Sequence, residues 1–146
     1  MQPTRILPDL QASLLCEEVR QESTGNFFLI GVVNFIRVPQ LPVVAARLCV
    51  FNRWTAGIGQ FVESIKLIAP DQTAVLRKGE MKFELKDAAM HSTNVMVFGQ
   101  LEFKAAGTYF IEVTVDDVMK LRYPVPVILA PPQNQNPQPP PAESKP

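Results

Sequence analysis

The chain has 146 residues, the usual size of a single domain built around one hydrophobic core. Hydrophobic residues make up 47% of it and charged residues 19%, and 14 Lys and Arg balance 14 Asp and Glu, so the formal net charge is zero. The basic side chains are scattered along the sequence instead of forming a stripe, which argues against a nucleic-acid-binding protein.

The beginning of the chain predicts neither export nor membrane insertion. It lacks the apolar region of a secretory signal, and Glu17, Glu18 and Arg20 follow before one could develop. The longest apolar run, residues 27–33, is far shorter than the roughly 20 residues that cross a bilayer. We therefore expect a soluble, cytoplasmic protein. In a reducing compartment Cys16 and Cys49 are expected to be free buried thiols, although a disulfide between them stays open.

The order of apolar stretches and turn residues predicts an all-β chain without helical periodicity. The first two strands are predicted over residues 10–22 and 26–38, joined by a hairpin turn at Gly25-Asn26. The second is apolar on both faces, and one of these faces carries Phe28, Ile30 and Val32. Because one sheet partner covers only one face, the other face needs cover from residues 41–44 or from a second subunit.

Six further strands are predicted over residues 47–54, 61–69, 81–86, 95–103, 108–116 and 118–129, which makes about eight. Strict alternation of apolar and charged residues over 81–86 predicts a strand with one wet face. Asp116-Asp117 predicts a hairpin turn between the last two strands. Pro124 and Pro126 lack N–H groups, so the last strand is predicted to lie at a sheet edge.

These strands predict an antiparallel β-sandwich over residues 1–130, with a small closed barrel as the alternative. The segment 131–146 is rich in Pro, Gln and Asn and is predicted to be a disordered tail. The tail could be a ligand for an aromatic-lined groove or a solubilising extension.

The stretch Ala106-Gly107-Thr108-Tyr109-Phe110-Ile111 resembles the immunoglobulin-like pattern, in which Gly-x-Tyr-x-Cys opens the penultimate strand. The resemblance implies a corner hydrogen bond from the Tyr109 hydroxyl group, with Ile111 in the place of the cysteine. Trp54 resembles the core tryptophan of that fold.

More broadly, residues 10–128 look like an uncharacterised bacterial family of small β-proteins with no assigned activity. The resemblance is carried by Cys16-Glu17-Glu18, Leu29-Ile30-Gly31-Val32 and residues 49–55 and 107–113. It implies an all-β fold and a bacterial cytoplasmic setting, and it transfers no functional site.

No catalytic constellation emerges from the sequence. His91 is the one histidine and lies in a predicted loop, while the two cysteines lie among apolar residues, where cysteine behaves as a small hydrophobe. The pairs Glu17-Glu18 and Asp116-Asp117 point to opposite faces and cannot act as a facing acid/base pair. We predict no enzyme activity, no metal site and no cofactor.

The best recognition candidate is the group Arg53, Trp54 and Gly57, an aromatic and a cation beside a glycine-containing loop. The alternative for Trp54 is a packing role at the end of the core. The leading expectation is a non-enzymatic interaction or assembly module that binds a protein partner or itself, as a homodimer, through Phe28, Ile30 and Val32. The competing expectation is a small-ligand or carbohydrate-binding module that uses Arg53 and Trp54.

Overall fold

A computed structural model describes residues 4–130, and these residues form nine β-strands and no helix. The all-β prediction is confirmed, and the described residues include no helix that could span a membrane. The predicted tail, residues 131–146, lies outside the described residues. The strands are β1 (Asp9–Gln21), β2 (Phe27–Val32), β3 (Ile36–Val38), β4 (Val43–Thr55), β5 (Gly59–Ile68), β6 (Val75–Leu85), β7 (His91–Phe103), β8 (Gly107–Val115) and β9 (Val118–Leu129).

The strands form two sheets that share one hydrophobic core. The first sheet has the order β2-β1-β4-β7, and the second has the order β3-β9-β8-β5-β6. Neighbouring strands are antiparallel except for β3 and β9, which are parallel. The core draws on both sheets and includes Leu48, Val50 and Phe98 from the first and Phe61, Ile65 and Ile111 from the second.

Alternation of side chains decides which face of each strand enters the core. On β6, Phe83 is half-buried and Leu85 is fully buried. Lys82 and Glu84, which alternate with them along the strand, are exposed, as predicted. On β8, every second residue from Tyr109 to Val115 is buried. The Tyr109 hydroxyl group donates a hydrogen bond to the Ala105 carbonyl oxygen at 2.7 Å, which is the predicted corner contact.

Both predicted hairpins are present. Asp116 and Asp117 have φ angles of 49° and 68°, and positive values at both central residues are those of a type I′ turn between β8 and β9. Gly25, with a φ angle of 97°, lies in the turn between β1 and β2, which pair antiparallel. A residue that tolerates positive φ is thus placed in each of these two turns.

The predicted strand over 26–38 is two strands that belong to different sheets. Residues 27–32 form β2 beside β1, whereas residues 36–38 form β3 beside β9. Between them the chain crosses from one sheet to the other. After the crossing, Val33 and Ile36 pack against the core, whereas β2 itself keeps apolar side chains on both of its faces.

The tip of the β1–β2 hairpin bends back over the outer face of the first sheet. β1 pairs with β4 only as far as Cys16, and beyond that point it pairs with β2 alone. The Phe27 ring nevertheless meets the Phe51 ring edge-on, with 6.1 Å between centroids. In a flat sheet these residues would lie roughly 20 Å apart along the strands, given a rise of about 3.3 Å per residue. We call residues 17–32 the hairpin arm.

The prediction that the last strand is a sheet edge is wrong, because β3 lies beyond it. β3 is only three residues long and pairs with β9 from Val127 to Leu129. On one side of β9, Pro124 and Pro126 lie opposite residues of β8. On the other side they have no neighbouring strand among the described residues, because they come before the part of β9 with which β3 pairs. The prolines therefore limit how far a neighbouring strand can extend along β9.

On the other flank of the molecule, the edge strands β6 and β7 of the two sheets are joined by a side chain. The Arg77 guanidinium group donates to the carbonyl oxygens of Gly99 and Gln100 at 2.9 and 3.1 Å. These bonds occupy two acceptors on the β7 backbone.

Candidate functional site

A buried carboxylate, Glu63 on β5, lies at the centre of a polar cluster between the two sheets. Glu63 has no exposed surface. Its Oε1 atom accepts hydrogen bonds from Trp54 Nε1 at 2.6 Å and from Asn94 Nδ2 at 2.8 Å, and its Oε2 atom accepts one from Asn52 Nδ2 at 3.1 Å. Ser92 extends the cluster through Asn94 Oδ1 at 3.0 Å. Three N–H donors thus replace the water that a carboxyl group loses on burial.

Burial raises the pKa of the Glu63 carboxyl group, and the hydrogen bonds from Asn94, Trp54 and Asn52 oppose this rise. None of the salt bridges among the described residues involves Glu63. A buried carboxylate without a cation is favoured in its neutral form. The cluster has no access to solvent, and its hydrogen bonds link the two sheets.

The sequence analysis missed this cluster, although a signal exists. Glu63 lies two residues from Phe61 and Ile65, at a position where alternation places the side chain in the core. Asn52 occupies the equivalent position between Val50 and Trp54 on β4. Polar residues at core-facing positions of adjacent strands indicate a buried network, and here three strands contribute.

The structure does not bring Arg53, Trp54 and Gly57 together on one surface. Trp54 is fully buried, stacks on Phe83 with 5.5 Å between ring centroids, and donates to Glu63. Arg53, its neighbour on the strand, points to the other face, where Nε donates to Gln11 Oε1 at 2.8 Å. Gly57 is buried against Pro8, and a Cβ atom there would lie 2.7 Å from the proline side chain. Trp54 therefore has a packing role in the core and not a recognition role at the surface.

His91 and the two cysteines are also separated. His91 is exposed at the beginning of β7, opposite Thr55, while Cys49 lies opposite Val97, six residues further along the same strand. This spacing corresponds to roughly 20 Å at about 3.3 Å per residue. Within residues 4–130, no three His, Cys, Asp or Glu side chains are grouped so that they could hold a metal ion.

The face of Phe28, Ile30 and Val32 lies open on the hairpin arm. Their side chains are 49%, 39% and 47% exposed, respectively. Residues 41–44 do not cover this face of β2, because Leu41 and Val43 pack against the core instead. Phe27 and Leu29, which point to the other side of β2, are half-buried. We call Phe28, Ile30 and Val32 the apolar strip.

β2 is also an edge strand, and it differs from the other edges in how it is protected. Its sequence Phe-Phe-Leu-Ile-Gly-Val contains neither a charged residue nor a proline. By contrast, β6 carries three basic and two acidic side chains, β7 is capped by Arg77, and β3 has only three residues. Charge, capping and shortness are the usual means by which an edge avoids pairing with another chain.

A surface groove of about 540 Å³ lies over β5 and β6, lined by Gln60, Phe61, Val62, Lys82, Phe83 and Glu84. The Phe83 ring, which lines the groove, contacts the rings of both Phe61 and Trp54. Phe83 thus connects the groove with Trp54, which does not line it.

Comparison with known protein families gives a match over most of the chain. The model of a family of unknown function, DUF6941, matches residues 11–128, and no curated protein matches the chain. Because the match covers most of the sequence, the chain belongs to this family.

Proposed function

We propose that this member of DUF6941 is a non-enzymatic assembly module whose strand β2 pairs with β2 of a second copy. The observation that carries the proposal is an edge strand that is both apolar and unprotected. An exposed strand edge offers a row of N–H and C=O groups to a partner strand, and the apolar strip adds side-chain burial to that pairing.

A second copy fits this edge because antiparallel pairing of two identical strands is self-complementary about a two-fold axis. In such a pair the apolar strip of one copy continues into that of the other. The flanking charges on β1 already compensate each other within one copy, since Arg20 Nε and Glu18 Oε2 are 2.7 Å apart. The two charged side chains opposite Ile30 and Phe28 on β1 are therefore already paired with each other when the strip is buried.

The chemistry of the remaining sites supports a non-enzymatic role. Burial raises the pKa of the Glu63 carboxyl group, but this group has no exposed surface at which it could meet a substrate. We also propose that the two-sheet body is an immunoglobulin-like sandwich, supported by the Tyr109 corner contact. A bacterial cytoplasmic setting is proposed with it, supported by the two free buried thiols.

The competing proposal is a small-ligand or carbohydrate-binding module. With Trp54 buried, such a module would use the groove over β5 and β6, where the half-buried Phe83 could contact an apolar ligand face. The edge of β2 is the more specific observation, and we favour assembly.

The oligomeric state tests the proposal. Light scattering after size-exclusion chromatography should show a dimer of the purified chain, and Ile30→Lys or Phe28→Asp should shift it to the monomer. The matched control is Met119→Asp, because Met119 on β9 is 56% exposed and lies in the other sheet. This control should remain dimeric with an unchanged circular dichroism spectrum. A wild-type monomer at every soluble concentration would contradict assembly, as would a dimer that survives both β2 substitutions.

A further inference from the structure

Cys16 and Cys49 lie directly opposite each other on adjacent antiparallel strands. Cys16 on β1 is the Cα partner of Cys49 on β4, so both side chains point to the same face of the first sheet. That face is the outer one, because the neighbouring Leu15, Leu48 and Val50 point into the core. Both cysteines are free, and their exposed fractions are only 0% and 1%.

The hairpin arm is what buries this thiol pair on an outer face. The register between β1 and β4 ends at Cys16 and Cys49, where the arm turns away. The Cys49 thiol lies 3.8 Å from the Glu17 carbonyl oxygen, the first residue of the arm. Phe27 then reaches Phe51, two residues from Cys49 on the same face. The pair therefore lies beneath the base of the arm.

The separation of the two positions suits a disulfide bond. Directly opposed residues in an antiparallel pair have Cα atoms about 4.5 or 5.5 Å apart, depending on the hydrogen-bonding pattern. Both values fall within the range of about 4.4 to 6.8 Å that disulfides span. Neither strand needs to shift its register for the bond to form.

We propose that Cys16 and Cys49 are a reversible redox modification site, at which a small-molecule disulfide such as oxidised glutathione produces an intramolecular Cys16–Cys49 disulfide. The inference does not depend on assembly through β2. Transient and reversible disulfides are the usual kind in a reducing compartment.

The oxidation proceeds by two exchange steps. One cysteine loses its proton to water, and its thiolate attacks a sulfur atom of the small-molecule disulfide, forming a mixed disulfide and releasing one thiolate. The second cysteine loses its proton and attacks the cysteine sulfur of the mixed disulfide, releasing the second thiolate. Both released thiolates take up a proton. Two electrons pass from the cysteine pair to the oxidant, which is reduced to two thiols.

Access to the pair requires the arm to open. Burial raises the pKa of the Cys16 thiol, and the neighbouring Cys49 adds to the rise, so little thiolate is present while the arm is closed. Local opening of a hairpin at a sheet edge needs less free energy than unfolding of the whole domain. The rate of oxidation should therefore follow the opening of the arm.

The test uses the folded full chain in glutathione buffers with a stepped ratio of oxidised to reduced forms. After acid quenching and alkylation, mass spectrometry of intact protein and of peptides should show both thiols lost together, with a linked Cys16–Cys49 peptide. Dithiothreitol should restore both thiols. Cys16→Ala serves as the control and should give no linked peptide, only a glutathione adduct or a free thiol at Cys49.

Two outcomes would overturn the proposal. In the first, both thiols of the wild-type chain remain alkylatable at every glutathione ratio, even with urea added below the unfolding midpoint to promote opening. In the second, the products are intermolecular disulfides or stable glutathione adducts in place of the internal bond. Because the decisive measurement uses the wild-type chain, it does not depend on the folding of any variant.

Discussion

At the scale of single residues, the carboxyl group of Glu63 links the two sheets. Glu63 lies on β5, whereas its donors Asn52 and Trp54 lie on β4 and Asn94 lies on β7. The indole N–H group of Trp54 needs an acceptor when it is buried, and Glu63 supplies one. The large aromatic side chain and the carboxyl group are therefore buried together, and neither is well accommodated without the other.

Replacing Glu63 by Leu should lower the free energy of unfolding by about 3 kcal/mol, since each buried N–H group that loses its acceptor costs about 1–3 kcal/mol. Glu63→Gln should cost less, about 1 kcal/mol, because its carbonyl oxygen can retain Trp54 and Asn94. Among the described residues Asn52 Oδ1 has no hydrogen-bond partner, so a turned Asn52 amide could accept from the new glutamine. Urea unfolding measures both values.

The control for these substitutions is Glu84→Gln on the exposed face of β6, which should leave the unfolding midpoint unchanged. Equal stability of Glu63→Leu and the wild type would contradict the bridging role of the carboxyl group.

The raised pKa of Glu63 predicts a pH dependence of stability with a definite sign. Below the ordinary value of 4.5, Glu63 is protonated in both the folded and unfolded chains and contributes no slope. Above 4.5 the unfolded chain loses the proton first, so the folded state binds more protons and stability falls with rising pH until the folded pKa is passed.

The difference in unfolding free energy between the wild type and Glu63→Gln isolates this contribution from other groups. As the pH rises from about 4 to about 8, the free energy of unfolding of Glu63→Gln should increase relative to that of the wild type. A difference that is independent of pH would show that the hydrogen bonds cancel the effect of burial on the pKa, and a difference that moves toward the wild type would show that they outweigh it.

At the scale of elements, the hairpin arm depends on a bend at Gly31. Gly31 has a φ angle of 67°, in the left-handed region, and an added Cβ atom would lie 2.6 Å from Glu17 Oε1 on the facing strand. Gly31 thus allows the backbone conformation and leaves room for the Glu17 side chain on the facing strand.

Gly31→Ala should lower the free energy of unfolding by about 1 kcal/mol, because an L-residue in the left-handed conformation costs about 1–2 kcal/mol. Amide hydrogen exchange should quicken within residues 17–32 more than elsewhere. The matched control is Gly99→Ala on β7, where the nearest atom to the added Cβ is 3.6 Å away. If the two variants lost the same stability, the bend would not require glycine.

The strands themselves could largely be predicted from the sequence, because alternation and turn chemistry are local. Residues 81–86 show this for alternation, and Asp116-Asp117 shows it for a turn. The division of residues 26–38 could not be predicted, since whether a strand stays in one sheet depends on distant partners such as β9. The Glu63 cluster was missed for the same reason, as its donors lie on two other strands.

At the scale of the whole molecule, the two flanks have different characters. One flank holds β6 and β7, where Arg77 bonds to the β7 backbone and charged side chains line β6. The other flank holds the hairpin arm with its apolar strip. With a formal net charge of zero, long-range repulsion between copies is weak, so short-range contacts at the apolar flank decide whether copies meet.

The Arg77 contact then bears on stoichiometry. A sheet that could grow at both lateral edges would polymerise, since each added subunit would present a fresh template. In the first sheet, β2 is free, but Gly99 and Gln100 on β7 already have a donor in Arg77. Two copies joined through β2 would bury both β2 edges and leave β7, with these two carbonyl oxygens occupied, as the lateral edge of the first sheet. Arg77 would thus hinder further strand pairing at the part of β7 that carries Gly99 and Gln100, and so favour a finite pair over a filament.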